Sequence, residues 1–495
     1  MICIILPMEK TSKRYIFEEM PVLKAVLKLA IPSVIGQLIL VIYNLADTFF
    51  IGLASNSEYF VSNGLTNALV SGVGICTPVF MIISAISNLF GIGAGSVMSR
   101  SSGKKNYARH DNAAGFAIYG CLFSLIVYSL LSLALVNPIT SFLASGDEAI
   151  MGYAKAYIIV TVVICGIPTG LNTLFSHLLR AEGKSFNASF GIALGGILNV
   201  VLDPLFMFVI CDIKDAALAA ALATGVSNII ALLYYVIFYI RHKENTYIPI
   251  KFSKDYFKES IPGEVLRVGL PACLMTLCEN ISYMVLDFLI GSFAAEEATR
   301  RAALAGVSAA KKVNMFAHSI ARGMTQGVLP LIGYNKSSGK RQRMKKIVFT
   351  SMGITTGVAI ICMLVNIFLA QPLSAIFLHE QSALEFSGLY LIIFSIGAPF
   401  SAIAYSVISF FQAVGKAWRS LLLALLRKGI LDIPLMFIIP LIHNNGKGTE
   451  IVMATPIADI VCCIVAVILF AHYLKKHGKD KVHITKGEIQ NEPVN

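Results

Sequence analysis

The chain has 495 residues, of which 56% are hydrophobic and 14% are charged, and its formal net charge at pH 7 is +12. A soluble globular protein carries about 25% charged residues, so this composition excludes an ordinary soluble domain and places most of the chain in lipid. The ten Cys include no CxxC pair and the nine His follow no metal-binding spacing, so the sequence predicts neither a disulfide framework nor a zinc site.

Twelve apolar stretches are long enough to cross a bilayer, because a transmembrane helix needs about 20 apolar residues. Each is predicted to be a helix, since lipid does not tolerate unpaired backbone groups. In chain order the predicted spans are 29–53, 67–98, 114–136, 155–179, 188–211, 216–240, 266–292, 302–333, 347–370, 386–413, 420–442 and 450–473. The predicted fold class is therefore an all-α integral membrane protein with twelve transmembrane helices.

The connections between these spans alternate in charge. Those after the second, sixth and eighth spans are rich in Lys and Arg, whereas 54–66, 137–153 and 371–383 contain neither. Cytoplasmic loops carry the excess of Lys and Arg, so we expect a multi-pass protein of the plasma membrane with both termini in the cytoplasm. The positive charge is then a topology signal, and we expect no nucleic-acid partner.

The tetrapeptide SSGK occurs twice, at 101–104 and 337–340. Around it, GIGAGSVMSRSSGKK (91–105) aligns without gaps with GVLPLIGYNKSSGKR (327–341). Each copy ends an apolar span and opens a basic loop, which we interpret as the same polar turn written in each half. Spans one to six therefore repeat as spans seven to twelve. Because six is even, both halves enter the membrane in the same direction, as in transporters built from parallel repeats.

The repeat predicts the domain organisation. A first lobe holds the first six helices and a second lobe holds the last six, and a polar segment connects them. The predicted limits are 1–240 for the first lobe, 241–264 for a cytoplasmic linker, 265–475 for the second lobe and 476–495 for a cytoplasmic tail.

The first half places two acids well inside apolar spans, Asp47 and Asp203. A charge at the bilayer centre costs about 2.5–3.5 kcal/mol, so such residues are candidates for function. Helical spacing puts Gln37 and Asn44 on the face of Asp47, and it puts Asn199 on the face of Asp203. Carboxylate and amide oxygens suit a hard cation such as Na+, and a buried carboxylate can also take up a proton, so both ions stay open. The alternative is that the amides only bond neighbouring helices.

The second half differs, because cations accompany its buried acids. The charged and aromatic residues singled out inside its spans are Glu279, Tyr283, Lys311, Lys312, Arg427, Lys428, Asp432 and Asp459. Lys428 and Asp432 are four residues apart on one helix and are expected to form a pair. A pairing of Glu279 with Lys311 or Lys312 stays open on depth alone. If these cations face a central cleft, the substrate need not be cationic.

These segments resemble the multidrug and toxic compound extrusion (MATE) transporters over roughly 24–475. The similarity is carried by AIPSVIGQLILVIYNLADTFFIG, GIGAGSVMSRSSGKK, RAEGKSFNASFGIALGGILNVVLDPLFMF and PLIGYNKSSGK. The resemblance implies two six-helix lobes around a central cleft. It also implies a secondary antiporter that exports organic, often cationic, compounds in exchange for Na+ or H+, with no enzymatic activity and no cofactor.

The resemblance further implies a coupling site. Family members use an acid in the first helix with an Asn and an Asp four apart in the fifth, which here are Asp47, Asn199 and Asp203, and Thr224 of the sixth helix completes the set. The residues expected to line the substrate cavity are Gln37, Asn44, Glu279 and Tyr283. Other members use acids in the seventh and tenth helices; Glu279 matches the first, but 386–411 contains no acid.

The runner-up function is a flippase for lipid-linked saccharides, since related folds serve that purpose and the second-half lysines would suit a more basic cavity. A membrane-embedded enzyme would need converging His, Asp or Ser groups, which the sequence does not show. A passive channel would not need the buried acids. We expect a monomer whose partners are a small-molecule substrate and the lipid bilayer.

Overall fold

A computed structural model describes residues 15–477 apart from 247, 250, 259, 295, 379, 444 and 445. Within these residues the regular structure is entirely helical. Twelve long helical segments, labelled α1 to α12, each overlap one predicted span.

The first six segments form one lobe. They are α1 (Val22–Ser55), α2 (Thr66–Gly74 continued by Thr77–Gly103), α3 (Tyr107–Ala134), α4 (Glu148–Ile164 and Gly166–Ala181), α5 (Ser185–Ile210) and α6 (Ile213–Arg241). Short helices at Glu58–Ser62 and Val136–Leu143 lie in the connections.

The second six segments form the other lobe. They are α7 (Ile261–Ile290), α8 (Glu297–Ser337), α9 (Arg341–Phe368), α10 (Gln381–Ala413), α11 (Ala417–Leu425, Leu426–Leu431 and Asp432–Ile442) and α12 (Thr449–His477). Between the lobes lie short 3-10 turns at Lys243–Asn245 and Lys254–Phe257, and a six-residue helix, Ala370–Ala375, follows α9.

Length and composition alone qualify nine helices of the described chain as membrane spans, and ten if the two parts of α4, bent by 51°, count as one. The remaining two segments are α8 and α11. Helix α8 carries Lys311, Lys312 and Arg322, and α11 is interrupted by a wide π-helical turn at Leu426–Leu431. The charged residues of α8 and the irregular turn of α11 therefore explain why these two segments do not qualify as plain apolar spans.

Packing follows the repeat. Helix α1 packs on α5 as α7 packs on α11, and α2 packs on α4 as α8 packs on α10. The two lobes meet through α2 against α7 and through α8 against α1, which are equivalent contacts under the repeat. Both contacts need glycine: a Cβ on Gly269 would lie 1.7 Å from the carbonyl oxygen of Leu89, and one on Gly327 would lie 2.6 Å from that of Leu29.

Helix α5 is irregular next to its acid. Pro204 follows Asp203 directly inside the helix, and the next turn, Phe206–Ile210, is π-helical. Proline lacks the backbone N–H that an α-helix needs and its ring clashes with the preceding turn. The corresponding helix of the second lobe, α11, holds its own π turn beside Asp432. Such wide turns are frequent at functional sites.

Candidate functional site

Three predicted coupling residues meet between α5 and α6. The side-chain amide of Asn199 donates to Oδ1 of Asp203 at 3.3 Å and lies 3.2 Å from Oγ1 of Thr224, its second acceptor. The i, i+4 spacing on α5 places the first two on one face, and α6 packs against that face. All three are buried, with Asp203 0% exposed.

The fourth predicted residue, Asp47, reaches this cluster from α1. The residue as a whole is half-buried, and its carboxylate interacts electrostatically with Asp203. Tyr43, one turn earlier on α1, and Tyr157 of α4 are close enough to interact with both carboxylates. Neither tyrosine was predicted, although the i, i+4 spacing of Tyr43 and Asp47 on one helical face was a usable signal.

The cluster holds oxygen atoms that lack donors. Oδ1 of Asp47, Oδ1 of Asn199 and Oδ2 of Asp203 are buried and accept no hydrogen bond from the described residues. Neither carboxylate forms an ion pair there. An unsatisfied buried acceptor costs about 1–3 kcal/mol, and more if charged, so a cation or a proton bound among these oxygens would remove a real penalty.

The oxygen set suits Na+ rather than a transition metal. No group of three His, Cys, Asp or Glu side chains able to hold a metal ion occurs in the described part of the chain. Two carboxylates, an amide oxygen and a hydroxyl are hard oxygen ligands, which alkali and alkaline-earth ions prefer. Protonation of one carboxylate would likewise remove the repulsion between the two negative charges.

A polar chain extends the cluster towards α4. The side-chain amide of Asn228 donates to the backbone oxygen of Thr224 at 2.9 Å and accepts at its own Oδ1 from Asn172 at 3.0 Å. Oδ1 of Asn172 is buried without a donor among the described residues. These two asparagines were missed because their meeting depends on how α4 and α6 pack.

The two predicted cavity residues of α1 have different surroundings. Nε2 of Gln37 approaches Oε1 of Gln326 on α8 at 3.4 Å, so this amide links the two lobes. The amide of Asn44 donates to the backbone oxygen of Leu40 in its own helix at 2.7 Å. For Gln37 the contact is thus the helix-to-helix bond that the sequence left open as its alternative.

Glu279 of α7 is paired with a residue that the sequence analysis overlooked. Its Oε2 lies 2.8 Å from Nη2 of Arg322 on α8, and its Oε1 accepts from the hydroxyl of Tyr405 at 3.3 Å. The pairing left open with Lys311 or Lys312 is wrong, because Arg322 is the cation that pairs with Glu279, and Lys311 forms an ion pair with Asp287 instead.

Helix register explains this correction. Helices α7 and α8 are antiparallel neighbours, and the Asp287–Lys311 pair sets which residues lie at equal depth. Glu279 lies eight residues deeper on α7, which is roughly 12 Å at 1.5 Å per residue. Its partner must lie about as far along α8, and Arg322 fulfils this where Lys311 and Lys312 do not.

Two further buried cations of the second lobe have acidic partners. Lys428 pairs with Asp432 at 2.7 Å, as the i, i+4 spacing predicted, and Arg427 pairs with Asp459 at 2.6 Å. Tyr283, the last predicted cavity residue, has the ammonium of Lys428 5.3 Å from its ring centroid, a cation–π distance.

The two lobes therefore differ in charge balance. In the second lobe three buried or half-buried acids each have a cationic partner: Glu279, Asp432 and Asp459. In the first lobe Asp47 and Asp203 interact electrostatically, and neither has a cationic partner among the described residues. Of these five acids, only Asp47 and Asp203 leave negative charge without a cationic partner in the described part of the chain.

Comparison with known proteins agrees with this architecture. The chain is 26% identical over 466 residues to the multidrug export protein MepA of Staphylococcus aureus strain MRSA252, covering 93% of this chain and 96% of that protein. Its fold matches a MATE protein crystallised with MaL6 at a TM-score of 0.83 and 22% identity, covering 94% of this chain and 98% of that one.

A second solved relative is a MOP superfamily transporter of Pyrococcus furiosus, described as having a binding pocket of reverse polarity that suggests a different function. It matches at a TM-score of 0.82 and 22% identity, over 94% of this chain and 99% of that chain. The MatE family model matches residues 32–205 and 271–438, one segment in each lobe and well over half of the chain. The chain belongs to the MatE family, a family of membrane transporters and not of enzymes.

Proposed function

We propose that the chain is a secondary antiporter that exports organic compounds in exchange for Na+ or H+. The observation that carries the proposal is the uncompensated pair Asp47 and Asp203, beside the oxygens of Asn199 and Thr224. Membership of the MatE family and similarity to a multidrug export protein support the direction of transport and the class of substrate.

The carboxylate pair offers a coupling mechanism. Two close carboxylates repel each other, so their proximity is favourable only when a cation or a proton lies between them. Binding would then favour the arrangement that brings α1 and α5 together, and release on the other side would favour their separation. A ligand shifts such an equilibrium only by its different affinity for the two states. The π turn after Pro204 gives α5 a place to bend.

The substrate is expected between the lobes, in a cavity lined by Gln37, Asn44, Glu279 and Tyr283. Arg322 belongs with this set, because it contacts Glu279 and its side chain is 36% exposed although it lies within a membrane-spanning helix. The wall of this cavity thus presents a carboxylate and a guanidinium at one place. Compounds that carry both a cationic and a polar or anionic group would fit it as well as simple cations.

The proposed transporter consists of two lobes, a linker and a tail. The lobes span 1–240 and 265–475, joined by the linker 241–264, with a tail at 476–495. The transporter acts as a monomer in the plasma membrane with both termini in the cytoplasm, and it needs no cofactor beyond the coupling ion.

Transport in vesicles tests the proposal. The purified chain is reconstituted, and the flux of ethidium, an organic cation, is followed under an imposed Na+ gradient, an imposed H+ gradient, or neither. We expect one of the two gradients to drive ethidium flux against its concentration. Flux that ignores both gradients, in vesicles with verified protein content, would contradict the antiport mechanism.

The cations of the second lobe favour one alternative function, that of a flippase for lipid-linked saccharides. The specific observation is the partly exposed side chain of Arg322, a cation that could meet a phosphate group. The same vesicles separate the two functions: a flippase would equilibrate a fluorescent lipid-linked saccharide between leaflets, whereas the proposed antiporter would leave its distribution unchanged.

A further inference from the structure

A buried arginine of the first lobe has no acidic partner. Arg180, near the end of α4, is 2% exposed and forms no ion pair with a carboxylate of the described residues. The acid nearest to it in the sequence, Glu182, pairs with Lys184 at 2.9 Å instead. Burial of an unpaired charge is costly, so buried charges in folded proteins are normally compensated. The described part of the chain does not supply this compensation for Arg180.

The hydrogen bonds of Arg180 use only part of its guanidinium. Nε donates to the hydroxyl of Ser33 on α1 at 3.2 Å, and Nη1 donates to the hydroxyl of Ser176 at 3.1 Å. Each serine donates its own proton to its helix backbone, Ser33 to Leu29 at 3.2 Å and Ser176 to Thr173 at 2.7 Å. Nη2 is buried and has no acceptor among the described residues. Neutral groups therefore fix the side chain, and one nitrogen with two N–H groups is left without an acceptor.

Two serines of α5 also have hydroxyls without partners. The hydroxyls of Ser185 and Ser189 are buried and form no hydrogen bond with the described residues. They are four residues apart, so they lie on one face of α5. A Cβ on Gly36 of α1 would lie 3.2 Å from Cβ of Ser189, so this face is turned towards α1.

The register of α1 and α5 brings these hydroxyls to the depth of the guanidinium. Further along both helices, a Cβ on Gly196 would lie 2.9 Å from the side chain of Ile39, so α1 and α5 run parallel. Ser185 lies one turn before Ser189 and is therefore level with the turn of α1 that holds Ser33. The guanidinium donates to Ser33, and its helix α4 packs on both α5 and α6. The free donors of α4 and α5 thus lie at one level.

Helix α5 adds a partial positive charge at this level. Ser185 is the first residue of α5, and the N-cap residue Lys184 supplies no side-chain acceptor. The first backbone N–H groups of a helix have no acceptor within it, and the helix dipole is positive at this end. A guanidinium, a helix N-terminus and two hydroxyls are the groups that bind an anion, since each can donate a hydrogen bond and none is negative.

We propose that a chloride ion binds here, held by Nη2 of Arg180 and by the hydroxyls of Ser185 and Ser189. Chloride would compensate the buried guanidinium and accept hydrogen bonds from the groups that lack acceptors. The coupling acids are too far away to do so: Asp47 lies fourteen residues beyond Ser33 on α1, which is roughly 21 Å at 1.5 Å per residue. The proposal goes beyond antiport, because the site is separate from the coupling site and from the substrate cavity.

Thermal unfolding of the full chain in detergent tests the proposal. The unfolding temperature is measured in sodium chloride and in sodium gluconate at equal concentrations, so that Na+ and ionic strength stay constant. Arg180→Met removes the charge, whereas Ser185→Ala with Ser189→Ala removes the two hydroxyls and keeps the charge. The matched control is Ser351→Ala with Ser395→Ala, two buried serines of the second lobe whose hydroxyls donate to their own helix backbones at 3.0 and 2.7 Å.

We expect chloride to raise the unfolding temperature of the wild type and of the control by on the order of 2 °C over gluconate, with saturation on titration. Arg180→Met should show no saturable rise, and the variant without the two α5 hydroxyls should need on the order of 10-fold more chloride. If Arg180→Met does not fold, the comparison of the two serine variants decides the question.

Three results would overturn the proposal. Equal unfolding temperatures of the wild type in chloride and gluconate would show that no chloride binds, as expected if water alone meets Nη2. An equal rise in the wild type and in Arg180→Met would be a general effect of the salt. Equal chloride affinity in the two serine variants would remove Ser185 and Ser189 from the site.

Discussion

Glu264 of α7 and Arg100 of α2 form an ion pair between the two lobes, with Oε1 2.6 Å from Nη1. The other carboxylate oxygen of Glu264 lies 2.5 Å from Nη2 of Arg109. One acid in the first turn of α7 therefore holds two cations of the first lobe. Close by, the hydroxyl of Ser96 donates to the backbone oxygen of Gln412 at 2.5 Å, so the lobes are joined on the side of the SSGK turns.

Replacing this acid should loosen the lobes on that side. In Glu264→Gln we expect the contact between the lobes on that side to be destabilised by about 1–3 kcal/mol. The reason is that partly buried, charge-assisted hydrogen bonds are lost. The measurement is the rate at which a maleimide modifies a Cys placed at Ser99, which is buried against α8 at Gly333. The rate should rise, whereas Glu19→Gln, at an exposed acid, should not change it. Equal rates in the two variants would contradict the role of Glu264.

The coupling carboxylates should be needed for gradient-driven flux but not for folding. In Asp47→Asn and in Asp203→Asn we expect normal insertion and an equal or higher unfolding temperature, since each change removes a repelling buried charge. Ethidium flux should no longer respond to the ion gradient. Asp212→Asn, an exposed acid paired only with exposed Lys214, is the control. Full coupled flux in both coupling variants would remove these residues from the mechanism.

Loss of Glu279 should affect coupling less than loss of Asp47. Arg322 already compensates Glu279, so this acid is less available to a mobile cation. We expect Glu279→Gln to keep gradient-driven flux while lowering the unfolding temperature, because Arg322 loses its partner. The double variant Glu279→Gln with Arg322→Gln should regain part of that loss. If Glu279→Gln abolished gradient-driven flux while Asp47→Asn preserved it, the coupling site would have to be assigned to the second lobe.

The buried pair Arg427–Asp459 should matter for stability. Its side chains are 0% and 2% exposed, and the guanidinium also stacks over the ring of Tyr405 at 4.3 Å. Asp459→Asn should cost about 3–5 kcal/mol, because a buried guanidinium loses its compensating charge. Arg427→Met with Asp459→Leu should recover most of the unfolding temperature. If the double variant were as unstable as the single one, packing and not charge would be the cause.

The predicted orientation can be tested by labelling from one side. A Cys at Ala108 or Gln342, both exposed beside the two SSGK turns, should react with an impermeant maleimide only from the cytoplasm. A Cys at Ser62 or Ser382, in the poorly charged connections, should react only from outside. Labelling of Ala108 and Gln342 from opposite sides would contradict the parallel repeat.

The sequence alone was enough for the helices and for part of the site. Each membrane span is a local property, since about 20 consecutive apolar residues bury the backbone of one helix whatever surrounds it. The i, i+4 spacing of Asn199 and Asp203, and of Lys428 and Asp432, also lies within one helix, and the structure shows both contacts. Even α8 was found, although its charged residues keep it from passing as a plain apolar span.

The tertiary structure decided which residues of different helices meet. Glu279 pairs with Arg322 because of the relative depth of α7 and α8, and Glu264 joins Arg100 because glycines allow α2 and α7 to approach closely. It also made the two SSGK turns unlike, since only the first is packed against α8. Such contacts depend on the register between neighbouring helices. The hydrophobic pattern of a lipid-facing helix does not determine this register, because sliding the helix along its axis changes its partners but not its apolar surface.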